Sequence, residues 1–483
     1  MKIDERPAVL RTPFRINHGK VTLPAYCRPA HCGGDCLYCF SVSGLTKSTG
    51  ANQDTLLAKS CNWDPVCQLA TRMKWYGLSR GGIKYDILIK GDSFANKDPK
   101  YLKDFVKSIY DFYNGENSGT LDDAIALQAG APDRCVTIKV ETRPDQINKK
   151  ICDMMFRFGV TTVEIGVQSL YDDVLSVNNR GHDVETVRRA TTLLSRYGFE
   201  IGYQIMIGLY GSTPKRDRKM ISELLWEDGF QPDVLKLYPC VLYDETVSQD
   251  KLRALYRSGK WAPVSDADYD RFLRQCLTKV PRYVHINQLQ RIESERHKIV
   301  AGCASKIDRS AFHGISRCLW QRSPAQTGVD LEGDYSSFRL ETVSQGSRGF
   351  CIEAVAEDDT VLGYGRMTVD KDSGAKIRDL RVLGNMICVG AGNPDRKGLQ
   401  HIGIGKAMLR RMECLAAKHG QGIVKVHPGP GARAYFEKRG YRYDTHYPEE
   451  CPEPKGWMLK KVSPRDSAGE PRVKKRDGEM RLQ

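Results

Sequence analysis

No stretch of this 483-residue sequence approaches the ~18 to 20 consecutive apolar residues of a membrane span, and the N-terminal run MKIDERPAVLRTPFRI lacks the apolar core of a signal peptide. A membrane protein is excluded on this pattern, and a soluble, cytoplasmic chain is expected. Without a secretion signal, the 16 cysteines are not expected to form a disulfide framework. Negative charge is in short supply too. The 59 Asp and Glu stand against 74 Lys and Arg, a formal net charge of +15. That excess favours a polyanionic partner, nucleic acid or a phosphate-rich cofactor.

The length suits two or three domains at ~100 to 200 residues each. After a short basic arm at 1–20, β-rich runs alternate with helical stretches: VTLPAY from 21, YDILIK from 85, VTIKVE from 136, TTVEIG from 161, IGYQIMIG from 201 and DVLKLY from 233. Six such runs predict an α/β fold, a parallel barrel-like sheet coated by helices, over residues 21–290. Residues 291–335 have no clean periodicity and read as a linker. From 336 to 462, FRLETV, GFCIEAVAE, TVLGYGRMTVD and KIRDLRVLG predict antiparallel strands, and Leu399-Gln-His-Ile-Gly-Ile-Gly405 opens a helix running to His419. Residues 463–483, charged and poor in apolar side chains, are expected to be a disordered basic tail.

Chemistry concentrates in two places. Cys32-Gly-Gly-Asp-Cys36-Leu-Tyr-Cys39 lies in a loop just after the first predicted strand. Three thiolates at this spacing can hold three irons of a [4Fe–4S] cluster and leave the fourth open. A tetrahedral zinc site that adds Cys27 is the competing reading; zinc hooks usually come in pairs and need no barrel behind them. In a βα barrel the C-terminal strand ends form the active face, which gathers Lys90, Asp92, Glu141, Arg143, Glu164 and Gln168. Strand-end ion pairing would explain the same carboxylates and arginine. The second place is Gln400-x-x-Gly403-x-Gly405, where glycines at a helix start let backbone N–H groups approach a pyrophosphate.

The segments KVETRPDQINKKICDMMFRFGVTTVEIGVQSLYDDVLSVNNRGHDVETV and GFQPDVLKLYPCVLYDET, with GLQHIGIGKAMLRRMECLAAKHG and GARAYFEKRGYRYD, resemble the catalytic subunit of Elongator, the tRNA wobble-uridine carboxymethyl synthase family. The resemblance runs from about Arg11 to Lys461. It implies a partial (β/α)6 radical S-adenosylmethionine (SAM) barrel followed by a GNAT-type α+β acetyltransferase domain. The implied activity is formation of 5-carboxymethyluridine in tRNA anticodons. In it a 5′-deoxyadenosyl radical takes a hydrogen from the acetyl methyl of acetyl-CoA, the carbon radical adds to uridine C5, and hydrolysis releases CoA.

Position by position, the resemblance implies Cys32, Cys36 and Cys39 as cluster ligands, with Cys27 outside the set. Lys90, Gly91 and Asp92 fall near the SAM methionyl group, and Glu164 and Gln168 also face the cofactor. Glu141 and Arg143 fall in the catalytic pocket. Gln400, Gly403 and Gly405 fall at the CoA pyrophosphate, and Tyr435 near the thioester, where a core aromatic is the alternative. Cys303, His313 and Cys318, with His297 or another fourth ligand, lie where relatives are believed to hold a structural zinc. This chain departs from the family in its three-residue spacing between Cys32 and Cys36, in Phe40-Ser41-Val42 after Cys39, in Ile205-Met-Ile-Gly-Leu-Tyr-Gly211, and in Phe436 for a second tyrosine. The implied partners are tRNA, contacted in part by the arm Lys2 to Lys20, and Elongator-like accessory subunits or a second copy. Two other functions fit parts of the sequence: a protein lysine acetyltransferase using the second domain alone, and an inactive tRNA-binding scaffold.

Overall fold

The structure, a computed structural model, describes residues 19–39, 41–42, 45–46, 53–290, 298–328, 337–371, 373–393, 398–444, 456–463, 473–476 and 479–482. The first sheet has seven parallel strands in chain order: β1 (Val21–Tyr26), β2 (Lys84–Lys90), β3 (Arg134–Thr142), β4 (Thr162–Gln168), β5 (Glu200–Ile207), β6 (Val234–Pro239) and β7 (His285–Gln288). The first six are the runs predicted above. The seventh, His-Ile-Asn-Gln, is too short and polar to stand out by alternation.

Parallel neighbours need crossovers, and the helices that supply them carry clear start signals. Asp98 caps Pro99–Asn114 by accepting the Tyr101 N–H, Asp183 caps Val184–Arg196 through Thr186, and Thr213 caps Pro214–Trp226 through Arg216. Their apolar stripes, for example Leu102, Val106 and Ile109 or Val187, Ala190 and Leu194, pack on the outer strand face. The other strand face is polar. On β3 it carries Thr137, Lys139 and Glu141; Lys139 pairs with Asp86 at 2.9 Å, and Glu141 with Lys236 at 3.1 Å.

The second sheet contains β8 (Arg339–Ser344), β9 (Gly349–Val355), β10 (Val361–Asp370), β11 (Gly374–Val382), β12 (Ile423–Val426), β13 (Arg442–Tyr443) and β14 (Met458–Lys461), in the order β8-β9-β10-β11-β12-β14-β13. All neighbours are antiparallel except β11 and β12, which pair in parallel from Ala375↔Val424 to Ile377↔Val426 and then part. Arg378 is an extra residue in the β10–β11 ladder, since Arg366 faces Asp379 and Met367 faces Ile377. A bulge there turns β11 away from β12 and opens a V in the middle of the sheet.

This domain docks on the N-terminal ends of the barrel strands, opposite the cysteine loop. Arg366 meets Glu200 at 2.9 Å and Asp379 at 3.2 Å, Arg381 meets Glu200 at 2.5 Å, and Arg378 pairs with Asp233. These charges are buried or nearly so, so sliding the domains apart would strip Glu200 and Asp233 of their arginine partners, while Arg366 and Arg381 would keep only Asp379.

Several expectations are corrected. Lys20 does not belong to an RNA-contacting arm: it is buried, donates to Thr137 Oγ1 at 2.7 Å and lies 3.6 Å from Asp86. The rest of the arm lies outside the described residues. In the tail, Val473–Arg476 pairs antiparallel with Glu479–Leu482 in place of disorder, and the intervening Asp-Gly sequence is a strong hairpin signal. The zinc candidates do not converge. Cys303 is buried and bonded to the Asp266 carboxylate, Cys318 is buried in the core, and His313 is exposed. Among the described residues no three His, Cys, Asp or Glu side chains gather around a metal-sized point. His297 lies outside them. Spacing along an irregular connector does not fix side-chain direction, which is why the motif misled. Cys61 and Cys67 form a disulfide. No described helix is long and apolar enough to cross a membrane.

Candidate functional site

The cysteine loop is built at the C-terminal ends of β1 to β4. Cys27 extends the β1–β2 ladder, donating its N–H to Lys90 O at 2.8 Å. Gly91, at φ 123°, passes so close that a Cβ there would stand 3.0 Å from Cys27 O, so the Lys90-Gly91-Asp92 turn needs glycine. Asp92 accepts the Ala30 N–H at 3.2 Å. From neighbouring loops Asn96 donates to His31 O at 2.6 Å, Gln146 to Cys32 O at 3.0 Å, and Lys97 to Arg28 O at 2.7 Å. Side chains of the barrel thus fix the backbone that presents Cys32, Cys36 and Cys39.

Cys36 Sγ has two guanidiniums against it, Arg180 at 3.2 Å and Arg143 at 3.7 Å. Arg143 is held by Asp145 at 3.0 Å and donates to Arg180 O at 2.5 Å, while Arg180 also donates to Gly166 O. The Cys36 sulfur thus sits between two guanidiniums that are themselves anchored to the barrel. Cys27 differs: it is fully buried beside the Lys90-Gly91 turn, and burial pushes its thiol up to about 12. The donor set, three partly exposed thiols of which Cys36 is braced by arginines, has the chemistry of a cluster held by three cysteines, and their sulfurs are not gathered around a single metal-sized point.

Glu141 and Glu164 face each other across the β3–β4 ladder, and Lys236 from β6 sits between them as a common ion-pair partner. The strand-end pairing reading therefore holds for both carboxylates. Gln168 is buried at φ 69°, and its Oε1 has no hydrogen-bond partner. A strained residue with an orphaned acceptor at the active face suits a ligand-binding role. Arg180 was not found from sequence, because nothing in Asn179-Arg180-Gly181-His182 marks a residue that will reach a sulfur 144 positions away.

At the other end of the strands, the V between β11 and β12 is a cleft floored by the barrel. Ile377 to Val382 form one wall, Val426 to Gly429 the other, and Lys20, Lys84, Thr137, Thr162 and Glu200 the floor. Gln400 lies at its edge. Gly403 caps the helix Ile404–Lys418 at φ 106°, with no side-chain cap and open space where a Cβ would be. Uncapped N–H groups beside open space fit a pyrophosphate. A Cβ on Gly405 would stand 3.0 Å from Tyr435 Oη, so glycine is what lets that hydroxyl reach the turn. Burial raises the Tyr435 pKa and keeps its hydroxyl protonated.

His427, on the same cleft wall, stacks on Phe156 with ring centroids 3.6 Å apart. Burial and the neighbouring Arg433 hold its imidazole down at about 3. The unfolded chain binds this proton near pH 6.5 and the folded chain does not, so stability falls as pH drops through the window between 6.5 and about 3. Lowering the pH from 6.5 to 5.5 should cost the natural protein roughly 1 kcal/mol more than His427→Phe, read by urea unfolding. Equal losses would show that His427 takes up its proton when folded.

Residues 28–224 match the Radical SAM superfamily. Over 456 residues the chain is 30% identical to the tRNA uridine(34) acetyltransferase of Dehalococcoides mccartyi, covering 90% of this chain and 98% of that protein. It is 28% identical over 466 residues to the tRNA uridine(34) acetyltransferase of Methanocaldococcus jannaschii, covering 90% and 85%. With Elongator complex protein 3 of Homo sapiens it shares 26% over 483 residues, covering 91% and 86%. The solved structure of the archaeal Methanocaldococcus infernus Elp3 with an N-terminal deletion shares the fold, with TM-score 0.73 at 23% identity over 92% of this chain and 99% of that one.

Proposed function

The chain belongs to the family of the tRNA uridine(34) acetyltransferases and Elongator complex protein 3, and on that premise we propose that it converts the wobble uridine of tRNA to 5-carboxymethyluridine, with acetyl-CoA as carbon donor and SAM as radical source. The observation that carries this reading is that one half-barrel bears the three-cysteine loop at one end of its strands and the acetyltransferase cleft at the other. At ~3.3 Å per residue, the seven residues of β2 separate the two ends by roughly 20 Å. The face between them carries Asp86, Lys139, Glu141 and Lys236 rather than an apolar plug.

When bound at Cys32, Cys36 and Cys39, a [4Fe–4S] cluster supplies the electron for reductive cleavage of SAM. Arg180 and Arg143 hold Cys36 in place, and Gln168 offers an unpaired acceptor at the same face. At the cleft, the N–H groups after Gly403 bind the CoA pyrophosphate. Tyr435 holds a proton at Oη for the departing CoA thiolate. The net charge of +15 supports a tRNA substrate.

Mass spectrometry of tRNA nucleosides from cells with and without this protein tests the reading: 5-carboxymethyluridine and its derivatives should disappear with the gene, and their persistence would reject it. A second expectation separates the two sites. Gly403→Glu puts a negative charge where backbone N–H groups meet phosphate, so acetyl-CoA binding should weaken at least ~100-fold. SAM cleavage should survive, and Gly403→Ala should show how much of the loss is backbone strain. Normal carboxymethylation by Gly403→Glu would remove the cleft from the reaction.

A further inference from the structure

Lys84, the first residue of β2, belongs to the barrel but lies in the acetyltransferase cleft. Its ammonium donates to Gln400 Oε1 at 2.8 Å. That amide is gripped by both domains: Oε1 also accepts the Ile387 N–H at 3.1 Å, and Nε2 donates to Gly19 O at 3.3 Å. The charged and titratable groups around Lys84 are Arg134, Cys388 and His401, and no carboxylate pairs with it among the described residues. Burial lowers its amine to about 8. Several cations that face the barrel interior or the domain junction do have carboxylate partners: Lys20 and Lys139 with Asp86, Lys236 with two glutamates, Arg366 with Glu200. A cation withdrawn from water without an anion is costly, and the cost is lifted when an anionic ligand arrives. The nearest built anion site is the turn from Gln400 to Gly405, which Lys84 already touches.

We propose that Lys84 is the barrel's contribution to the acyl-CoA site, taking the pyrophosphate of the incoming CoA as its partner in place of Gln400, so that the site is complete only when the two domains are docked. This rests on the acyl-CoA reading given above. Lys84 acts as a binding and positioning residue, and it makes CoA affinity a property of both domains together.

The test is calorimetric titration of the full chain, natural and as Lys84→Gln and Lys84→Arg, with acetyl-CoA, with acetyl-dephospho-CoA, which keeps the pyrophosphate but lacks the 3′-phosphate, and with S-acetylpantetheine, which lacks both. Lys84→Gln should weaken the first two ligands alike by about ten- to a hundred-fold, the worth of one charge-assisted contact. S-acetylpantetheine should bind both proteins equally, and Lys84→Arg should restore most of the loss. Unchanged acetyl-CoA affinity in Lys84→Gln overturns the proposal and leaves the acyl-CoA reading standing; failure of the natural protein to bind acetyl-CoA overturns both. A loss confined to the 3′-phosphorylated ligand overturns the pyrophosphate assignment. A matching loss of S-acetylpantetheine overturns the proposal as well, since it would mean a damaged cleft rather than a missing phosphate contact.

Discussion

Cys36→Ala should abolish 5-carboxymethyluridine formation altogether while leaving acetyl-CoA binding intact. Cys36 is the ligand candidate with the most elaborate surroundings, because Arg180 and Arg143 both reach its sulfur and Arg143 is itself anchored by Asp145. Removing the sulfur takes away one of the three proposed cluster ligands and an acceptor shared by both guanidiniums. Protein reconstituted without oxygen should fall from about four irons and four sulfides per chain to a small residue. Cys27→Ala should keep the full complement, since Cys27 is a protonated thiol buried under β2. The cleft lies at the far end of the strands, so titration with acetyl-CoA should not distinguish Cys36→Ala from the natural protein. Modified uridine at normal yield from Cys36→Ala would end the radical mechanism for this chain.

Asp233→Ala should cost roughly 3 to 5 kcal/mol of unfolding free energy, the usual penalty for stranding buried charge. Asp233 stands just before β6 and accepts from Arg378, from Gln345 Nε2 at 2.8 Å and from the Ile201 N–H at 2.9 Å, with Arg366 3.7 Å away. Three of these partners come from the second domain. Their loss should therefore loosen the docking of the domains before it loosens either core. Urea unfolding should show a lower midpoint, and limited proteolysis should show cleavage between the domains. Replacing both partners by apolar residues, Asp233→Leu with Arg378→Met, should recover a good part of the loss, because the buried charge then has no widow. A single-variant cost below ~1 kcal/mol would show that water reaches this interface and that the network is not what joins the domains.

How much was readable from sequence depended on how local the signal was. Strand alternation and the three clustered cysteines are each written within a few residues, and the structure places the six predicted strands and the cysteine loop after the first of them as expected; the N-caps at Asp98, Asp183 and Thr213 are equally local, and the structure revealed them. The carboxylates Glu141 and Glu164 were legible as strand-end polar residues, but only their parallel register on β3 and β4 with Lys236 opposite shows that they are a salt-bridged set. Cys303, His313 and Cys318 went the other way: their spacing suggested a metal, and the fold sends one to Asp266, one into the core and one to solvent.

The sequence by itself determined the two-domain order, the parallel and antiparallel sheets, the cysteine loop and the glycine turn, because periodicity and turn chemistry act over short range. Tertiary structure alone decided that the cysteine loop and the cleft lie at opposite ends of the same strands. It also decided that Arg180 reaches Cys36, that Lys20 is buried rather than offered to RNA, and that Lys84 crosses into the neighbouring domain. Each of these joins residues tens to hundreds of positions apart, where direction in space is fixed by packing and by the need to pair buried charge, neither of which is written in any one segment.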